Sequence, residues 1–358
     1  MLETKVILSL RKHEQLFVNN DLLERIEKEK IYNTDEIAIL VIGMWSTHQC
    51  LLADRKLQEL SPKVDLFLKK GRTNNMKVIF GSSSLTKLPK YKSLRDNMKN
   101  IPFANLRDKG LNFPPIPFND SDGGVNEGNP NFKRGDVDMN PLIEISNTDA
   151  MTDNSKELLN YLYHHKIKLC LVVGVHTNMC VLDRPYGMKN IARYGFPMAI
   201  VRDLADPMIK PDGIIIKDRD DALKKIIHYI EQYFAPSIDS RDMMIVNKDA
   251  KIIRCDIDDT ICKETPVIDG QDNHIYKRKT PIIERINKMN QLYDEGNCII
   301  YWTSRGCDSG KDWEEYTRKQ LESWGVKYSG IICTKRRFDI FIDDKVFNSE
   351  FYFSNTIN

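Results

Sequence analysis

Lys251-Ile252-Ile253-Arg254-Cys255-Asp256-Ile257-Asp258-Asp259-Thr260 reads as a short buried strand ending in two carboxylates two residues apart, with a hydroxyl close behind. A strand terminus is rigid enough to hold both acids in place. One carboxylate can attack phosphorus while the next but one gives a proton to the leaving oxygen. Further along, the apolar run Cys298–Trp302 delivers Thr303, Ser304 and Arg305. The run Asp339–Ile342 delivers Asp343 and Asp344, with Lys335 just before it. Ligands of parallel sheets bind beyond the carboxyl ends of the strands, so these residues are expected to converge on one edge. Carboxylates that close repel one another unless a cation sits among them. An all-oxygen donor set with room for water favours Mg²⁺. Metal and Lys335 would neutralise a phosphate, and the Thr303 hydroxyl would bind its oxygens.

The rest of the chain sets the bounds. Its 358 residues suit two domains, and a 41% hydrophobic, 29% charged composition with net charge +2 is that of an ordinary globular protein. So even a balance gives no reason to expect a nucleic-acid or membrane partner. No window approaches the roughly 18 apolar residues of a membrane span, and the N-terminus shows no secretory pattern. The eight cysteines form no CxxC pair, which argues against a zinc site or a disulfide framework and for a reducing cytosol.

The first two-thirds carry a βα rhythm of their own. Ile37–Ile42, Met76–Phe80, Lys168–Val173 and Met198–Val201 read as buried strands, and Ser155–His165, Cys180–Tyr194 and Asp220–Phe234 as helices. Continuous apolar strands alternating with amphipathic helices predict a parallel sheet covered on both faces. Lys99–Asp136, rich in Pro, Gly, Asn and Asp, reads as a long irregular excursion. Ala235–Ser240 marks a domain boundary. Beyond it a strand at 251–255, a helix around 281–295, a strand at 298–302, a helix over Asp312–Trp324 and a strand at 339–342 predict a second parallel sheet. Cys180, after Gly174-Val175-His176-Thr177-Asn178-Met179, stands where a helix N-terminus would stabilise a thiolate.

The C-terminal pattern resembles the haloacid-dehalogenase superfamily of phosphatases over roughly residues 249–358. The resemblance implies that Asp256 is a nucleophile forming an aspartyl-phosphate and that Asp258 is the general acid and base. Thr303 and Lys335, with Ser304 and Arg305, would hold the phosphorylated substrate. Asp256, Asp343 and Asp344, with the Asp258 carbonyl, would hold Mg²⁺. Lys345 and Arg336 are neighbouring alternatives to Lys335, and Asp259 stands where that superfamily more often has glycine. Only Cys262–Lys279 is free for a flap and no cap domain fits, which implies an open site. Ile300–Gly306 and Phe341–Lys345 look most like small hydrolases of bacterial surface-polysaccharide synthesis, which favours a sugar phosphate.

The N-terminal segments Val41–Cys50, Gly81–Ser84, Pro117–Gly124, His176–Gly187 and Val201–Asp206 resemble the isochorismatase-like cysteine hydrolases, nicotinamidases among them, over about residues 10–243. That family uses a cysteine, an aspartate and a lysine. Cys180 matches the cysteine, but the aspartate position is Gly43, and Leu142–Asn147 holds no lysine, Lys133 being the nearest. The nicotinamidase metal ligands are not apparent. The expectation is therefore α/β throughout, with two three-layer α/β/α domains built on parallel sheets. Residues 1–243 form a degenerate isochorismatase-like domain, and 244–358 a capless phosphatase domain acting on a small phosphorylated molecule. Two alternatives stay open: a bifunctional enzyme in which Cys180 also cleaves an amide or ester, with His176, His48 or Asp203 as base, and a non-catalytic binding or scaffold protein. Assembly into a homo-oligomer is left open.

Overall fold

The computed structural model describes residues 4–15, 23–99, 101–118, 127–210, 218–247, 249–266, 274–307, 311–333, 335 and 344–355. The fold is mixed α/β around a large, mostly parallel sheet. The chain divides into two compact units, 10–240 and 1–9 with 241–358. The expected strand at 339–342 and Asp343 lie outside the described residues.

In the larger unit the elements are β1 (Thr4–Gln15, its first residues belonging to the other unit), β2 (Leu23–Asn33), β3 (Ile37–Ile42), α1 (Leu51–Thr73), β4 (Lys77–Gly81), α2 (Lys92–Asp96), β5 (Ala150–Thr152), α3 (Ser155–His164), β6 (Leu169–Val175), α4 (Cys180–Asp183), α5 (Met188–Arg193), β7 (Met198–Asp206), α6 (Arg219–Tyr233) and β8 (Ser237–Ile238). Strands β5-β4-β3-β6-β7-β8 run parallel, and β1 closes on β8 antiparallel with β2 beyond it.

The all-apolar β3 shows why the centre of this sheet is two-sided. Ala38, Leu40 and Ile42 join Leu158 and Leu162 of α3, Ile191 of α5 and Ile226 and Ile230 of α6 in one cluster. With a period of two, Ile39 points the other way. There its Cδ1 lies where a Cβ on Gly71 of α1 would stand, 2.5 Å off, so the bare glycine lets helix and strand close up. The sequence predicts one helix from Cys180 to Tyr194, but two short ones form. Pro185 forces Arg184 into an extended conformation (φ −62°, ψ 156°), which ends the first turn. The stretch 101–118 is without helix or strand, as its composition predicts.

The smaller unit continues with β9 (Met244–Asn247), β10 (Ile252–Cys255), β11 (Cys262–Glu264), β12 (Lys279–Pro281), α7 (Ile283–Asp294), β13 (Cys298–Trp302), α8 (Glu314–Ser323), β14 (Gly330–Ile332) and α9 (Ser349–Asn355). The parallel sheet β10-β13-β14 buries Ile299, Tyr301 and Ile331 against Ile286 and Met289 of α7, Leu321 of α8 and Phe353 of α9. Its other face is covered by strands. Thr4–Ile7 pairs antiparallel with Met244–Asn247, and Ile7 and Met244 pack on Cys298, Ile300 and Ile332. No helix among the described residues is long and apolar enough to cross a membrane.

At the carboxyl ends of β3 and β6 the two strands approach closely. Gly174 has φ +112°, and a Cβ there would meet the Ile42 carbonyl oxygen at 2.0 Å. Gly110 also has a positive φ of +62° but has nothing within 4 Å. In urea unfolding, Gly110→Ala should cost about 1 kcal/mol, the left-handed penalty alone. Gly174→Ala should cost about 3 kcal/mol or more. Equal costs would mean the close crossing is not tight.

Candidate active site

The register of the smaller sheet builds the site. β10 pairs with β13 so that Cys255 lies opposite Tyr301, and β13 pairs with β14 so that Trp302 lies opposite Ile332. The residues just past these ends, Asp256 and Thr303, therefore meet at one edge. The Thr303 N–H donates to the Ile332 carbonyl (2.9 Å), and the Lys335 N–H donates to the Thr303 carbonyl (3.2 Å). That second bond brings Lys335 back over the sheet end. Its ammonium pairs with Asp256 Oδ2 and lies 5.6 Å from the Trp302 ring centroid. Asp256 Oδ1 accepts from the Ile257 N–H at 2.8 Å. Thr303 is buried, its hydroxyl oxygen accepting from the Arg305 N–H at 3.3 Å. The Ser304 carbonyl accepts from the Cys307 N–H and closes the turn after the strand.

Asp258 is held differently. Arg305 grips it bidentately, Nε to Oδ2 at 2.8 Å and Nη2 to Oδ1 at 2.9 Å. The guanidinium is itself fixed by Gln320 Oε1 (2.7 Å) and Thr317 Oγ1 (3.4 Å) on α8 and lies 5.2 Å from the Tyr276 ring centroid. The Arg305 side chain is 0% exposed, so it offers no donor to a ligand. The expected substrate contact at Arg305 is corrected accordingly: this residue positions Asp258. Lys279, 2% exposed, stands 3.7 Å from Asp258 Oδ1 and 3.5 Å from Asp259 Oδ1. Nothing in the sequence singled it out, because a lone lysine in a polar stretch carries no pattern. Asp259 adopts φ +58°, the left-handed region that aspartate tolerates better than most residues and glycine best.

Burial pushes the Asp258 carboxyl up, but the hydrogen bonds and charge of Arg305, with Lys279 behind, hold it below the usual carboxylate range. The neighbouring Cys262 thiol is driven up to about 12 by burial and by Asp258.

Among the described residues no group of three or more His, Cys, Asp or Glu side chains is arranged to hold a metal ion. Asp344 sits in an exposed turn, and Asp343 lies outside the described residues. Of the expected metal set, the Asp256 carboxylate, the Asp258 carbonyl and Asp344 are described, all hard oxygen donors. The Asp258 carboxylate has both oxygens on Arg305, so its carbonyl is the atom that would serve. As chemistry, that donor set fits Mg²⁺.

In the larger unit Cys180 begins a single helical turn, too short for a sizeable dipole. The Arg184 guanidinium stands near its sulfur as a donor and cannot serve as its base. Of the three candidate bases, Asp203 is spent on the Ser240 N–H (2.7 Å) and hydroxyl (2.5 Å). His176 is buried with both ring nitrogens unpartnered, and His48 Nδ1 accepts from the Cys50 N–H at 3.0 Å. Lys133 is exposed. Gly43 explains the missing acid: its φ is +69°, and a Cβ would stand 2.1 Å from the Val175 carbonyl oxygen.

The chain matches no family model, and no curated protein matches it.

Two substitutions probe this geometry. The depressed Asp258 lies under its unfolded value of about 3.9, so the clamp stabilises the fold above about pH 4 and that stability is lost as pH falls through the folded pKa. Arg305→Met should cost about 3 kcal/mol at pH 7, shrinking towards zero as Asp258 protonates in acid. A pH-independent cost would show the clamp to be packing, not charge. Gly43→Asp should lower the unfolding midpoint and yield no esterase or amidase activity, because the backbone there has no room for the acid; a gain of either activity refutes that account.

Proposed function

We propose that the smaller unit is a Mg²⁺-dependent phosphatase that works through an aspartyl-phosphate on Asp256, in a haloacid-dehalogenase-like fold without a large cap. The observation that carries this reading is the paired arrangement at one sheet end: Lys335 on the Asp256 carboxylate, and Asp258 two residues on in its own cationic clamp. A binding protein has no need to hold two carboxylates so close, each aimed by a separate cation.

Asp256 attacks phosphorus. The Ile257 N–H and Lys335 orient its carboxylate, and Lys335 also neutralises phosphoryl oxygens as charge gathers there. The buried Thr303 hydroxyl and the turn at Ser304 stand beside the same oxygens. The bond from phosphorus to the leaving oxygen breaks as the bond to Asp256 forms. Asp258 then accepts a proton from the water that splits the acyl-phosphate, releasing phosphate and restoring Asp256. In the first step the protonated form of Asp258 gives the leaving oxygen its proton, and the Arg305 clamp then favours the ionised form that serves as base for the water. Mg²⁺, held by Asp256 and the Asp258 carbonyl together with Asp343 or Asp344, would supply charge neutralisation of the phosphoryl group. The likeness of Ile300–Gly306 and Phe341–Lys345 to hydrolases of surface-polysaccharide synthesis makes a sugar phosphate the expected substrate.

The larger unit reads best as an isochorismatase-like fold that has lost its hydrolytic acid. With neither base nor lysine on Cys180, thiol catalysis lacks assistance typically worth about 10²–10⁴-fold.

Phosphate release from p-nitrophenyl phosphate tests both parts. Asp256→Asn should abolish the Mg²⁺-dependent rate, and retained turnover would remove Asp256 as nucleophile. Cys180→Ala should leave the rate within about twofold, since the thiol has no part in this chemistry.

A further inference from the structure

Near Asp258 the smaller unit carries four aromatic rings that the proposed chemistry does not use. The turn before β12 supplies His274 and Tyr276, and Trp313 just before α8 and Tyr316 within it supply the others. His274 lies on Trp313 at 4.1 Å between centroids, with the planes 33° apart. Tyr276 and Tyr316 stand edge-on to Trp313 at 5.1 and 5.4 Å. The group is separate from the core that α7, α8 and α9 bury on the sheet. It is held in place by backbone atoms: the Tyr276 N–H donates to His274 Nδ1 at 3.3 Å, and Gln320 Nε2 donates to the Tyr276 carbonyl at 3.0 Å. Trp313 is buried, Tyr276 and Tyr316 are half-buried and His274 is exposed, so the group has a floor and a solvent side.

Its place fits the departing half of the substrate. Asp258 serves the leaving oxygen, Arg305 grips Asp258, and the Tyr276 ring centroid lies 5.2 Å from the Arg305 guanidinium. The rings therefore begin on the Asp258 side, where the leaving group stands. Trp313 is set against the catalytic turn as well. Its Cδ1 is 3.4 Å from where a Cβ on Gly306 would be, and Gly306 belongs to the turn that follows Thr303. We propose, resting on the phosphatase reading of Asp256, that these rings form a platform for the leaving group and that they select a pyranose, its C–H face lying on Tyr276 and His274 above Trp313.

The form of the platform decides the class. A base held between two rings needs their faces set apart by its own thickness, whereas these neighbours are 4.1–5.4 Å from one another. A pyranose needs only one face. Its axial C–H bonds gather on one side of the ring, and the negative face of an aromatic ring attracts them. The Tyr276 and Tyr316 hydroxyls can each donate and accept, as the hydroxyls around a sugar do. An acyclic leaving group such as glycerol has no flat face to lay on rings so placed.

Phosphate release by the full chain with Mg²⁺ tests the platform, the probes being the hexose phosphates of glucose, galactose and mannose, adenosine and uridine monophosphate, and glycerol phosphate. The best hexose phosphate should exceed glycerol phosphate in kcat/KM about tenfold or more. His274→Ala changes an exposed residue and Tyr276→Leu keeps an apolar cover over Arg305, so both should fold normally by circular dichroism. Each should raise KM for that hexose phosphate about three- to tenfold, with kcat kept within about threefold. A purely structural role would leave KM alone. Equal kcat/KM for the hexose phosphates and glycerol phosphate overturns the proposal, as does a preference for the nucleoside monophosphates or an unchanged KM in both folded variants. Asp256→Asn separates the two readings. If it silences turnover while the ring preference is absent, the platform falls and the phosphatase stands. If turnover survives it, the phosphatase reading falls and takes the platform with it.

Discussion

Two carboxylates at the end of one strand repel each other, and the smaller unit is organised around relieving that repulsion. Asp256 and Asp258 each receive a separate cation from a different part of the chain. Lys335 arrives by a backbone bond onto Thr303, so its placement is a property of sheet pairing. Arg305 arrives from the turn after β13 and is braced by Thr317 and Gln320 of α8. The sheet order β10-β13-β14 is what lets both reach the same edge. A slip of one residue between β10 and β13 would turn every side chain to the opposite face. It would also part Asp258 from Arg305, leaving a buried carboxylate and a fully buried guanidinium without each other. Register and charge compensation thus enforce one another.

How much of this could be read from sequence follows from how local each signal is. The strands at 37–42, 169–175 and 298–302 are continuous apolar runs, and burial on both faces demands nothing else of them. The strands at the β2 end of the larger sheet are another matter. β2 reads Leu-Glu-Arg-Ile-Glu-Lys-Glu-Lys-Ile-Tyr-Asn, too charged to announce a strand, and β1 is only partly apolar. Edge strands with charged faces discourage unwanted pairing, and that same composition hides them. The short β9 escaped notice too, although with Ile7 it covers a whole face of the smaller sheet. The sequence around Cys180 suggested one helix because its apolar spacing continues past Pro185, and spacing does not register a ring that removes a donor.

The site divides along the same line. Asp256, Asp258, Thr303 and Lys335 stood out because strand ends deliver them in order. Arg305 was visible too, but its task was not: a basic residue beside a phosphate site suggests a phosphate contact, and only tertiary packing reveals that its guanidinium is sealed inside. Lys279 belongs to the β11–β12 hairpin and meets Asp258 and Asp259 purely through folding. Asp259 stood out as a residue where glycine is usual. Its positive φ supplies the reason that glycine suits the position and aspartate is tolerated.

Gly43 carries the sharper lesson, because there the identity of one residue changes what a site can do. Gly43 and Gly174 end neighbouring parallel strands, and both occupy positive φ with a carbonyl oxygen where a Cβ would stand. The crossing they permit draws the Val175 carbonyl into the space an acid at position 43 would need. The backbone at position 43 thus has no room for an acid side chain. Just past the same strand ends, His176, Thr177 and Arg219 present polar atoms with no partner inside the protein. A fold that had only decayed would be expected to lose such atoms, since apolar replacements of similar shape relieve their cost.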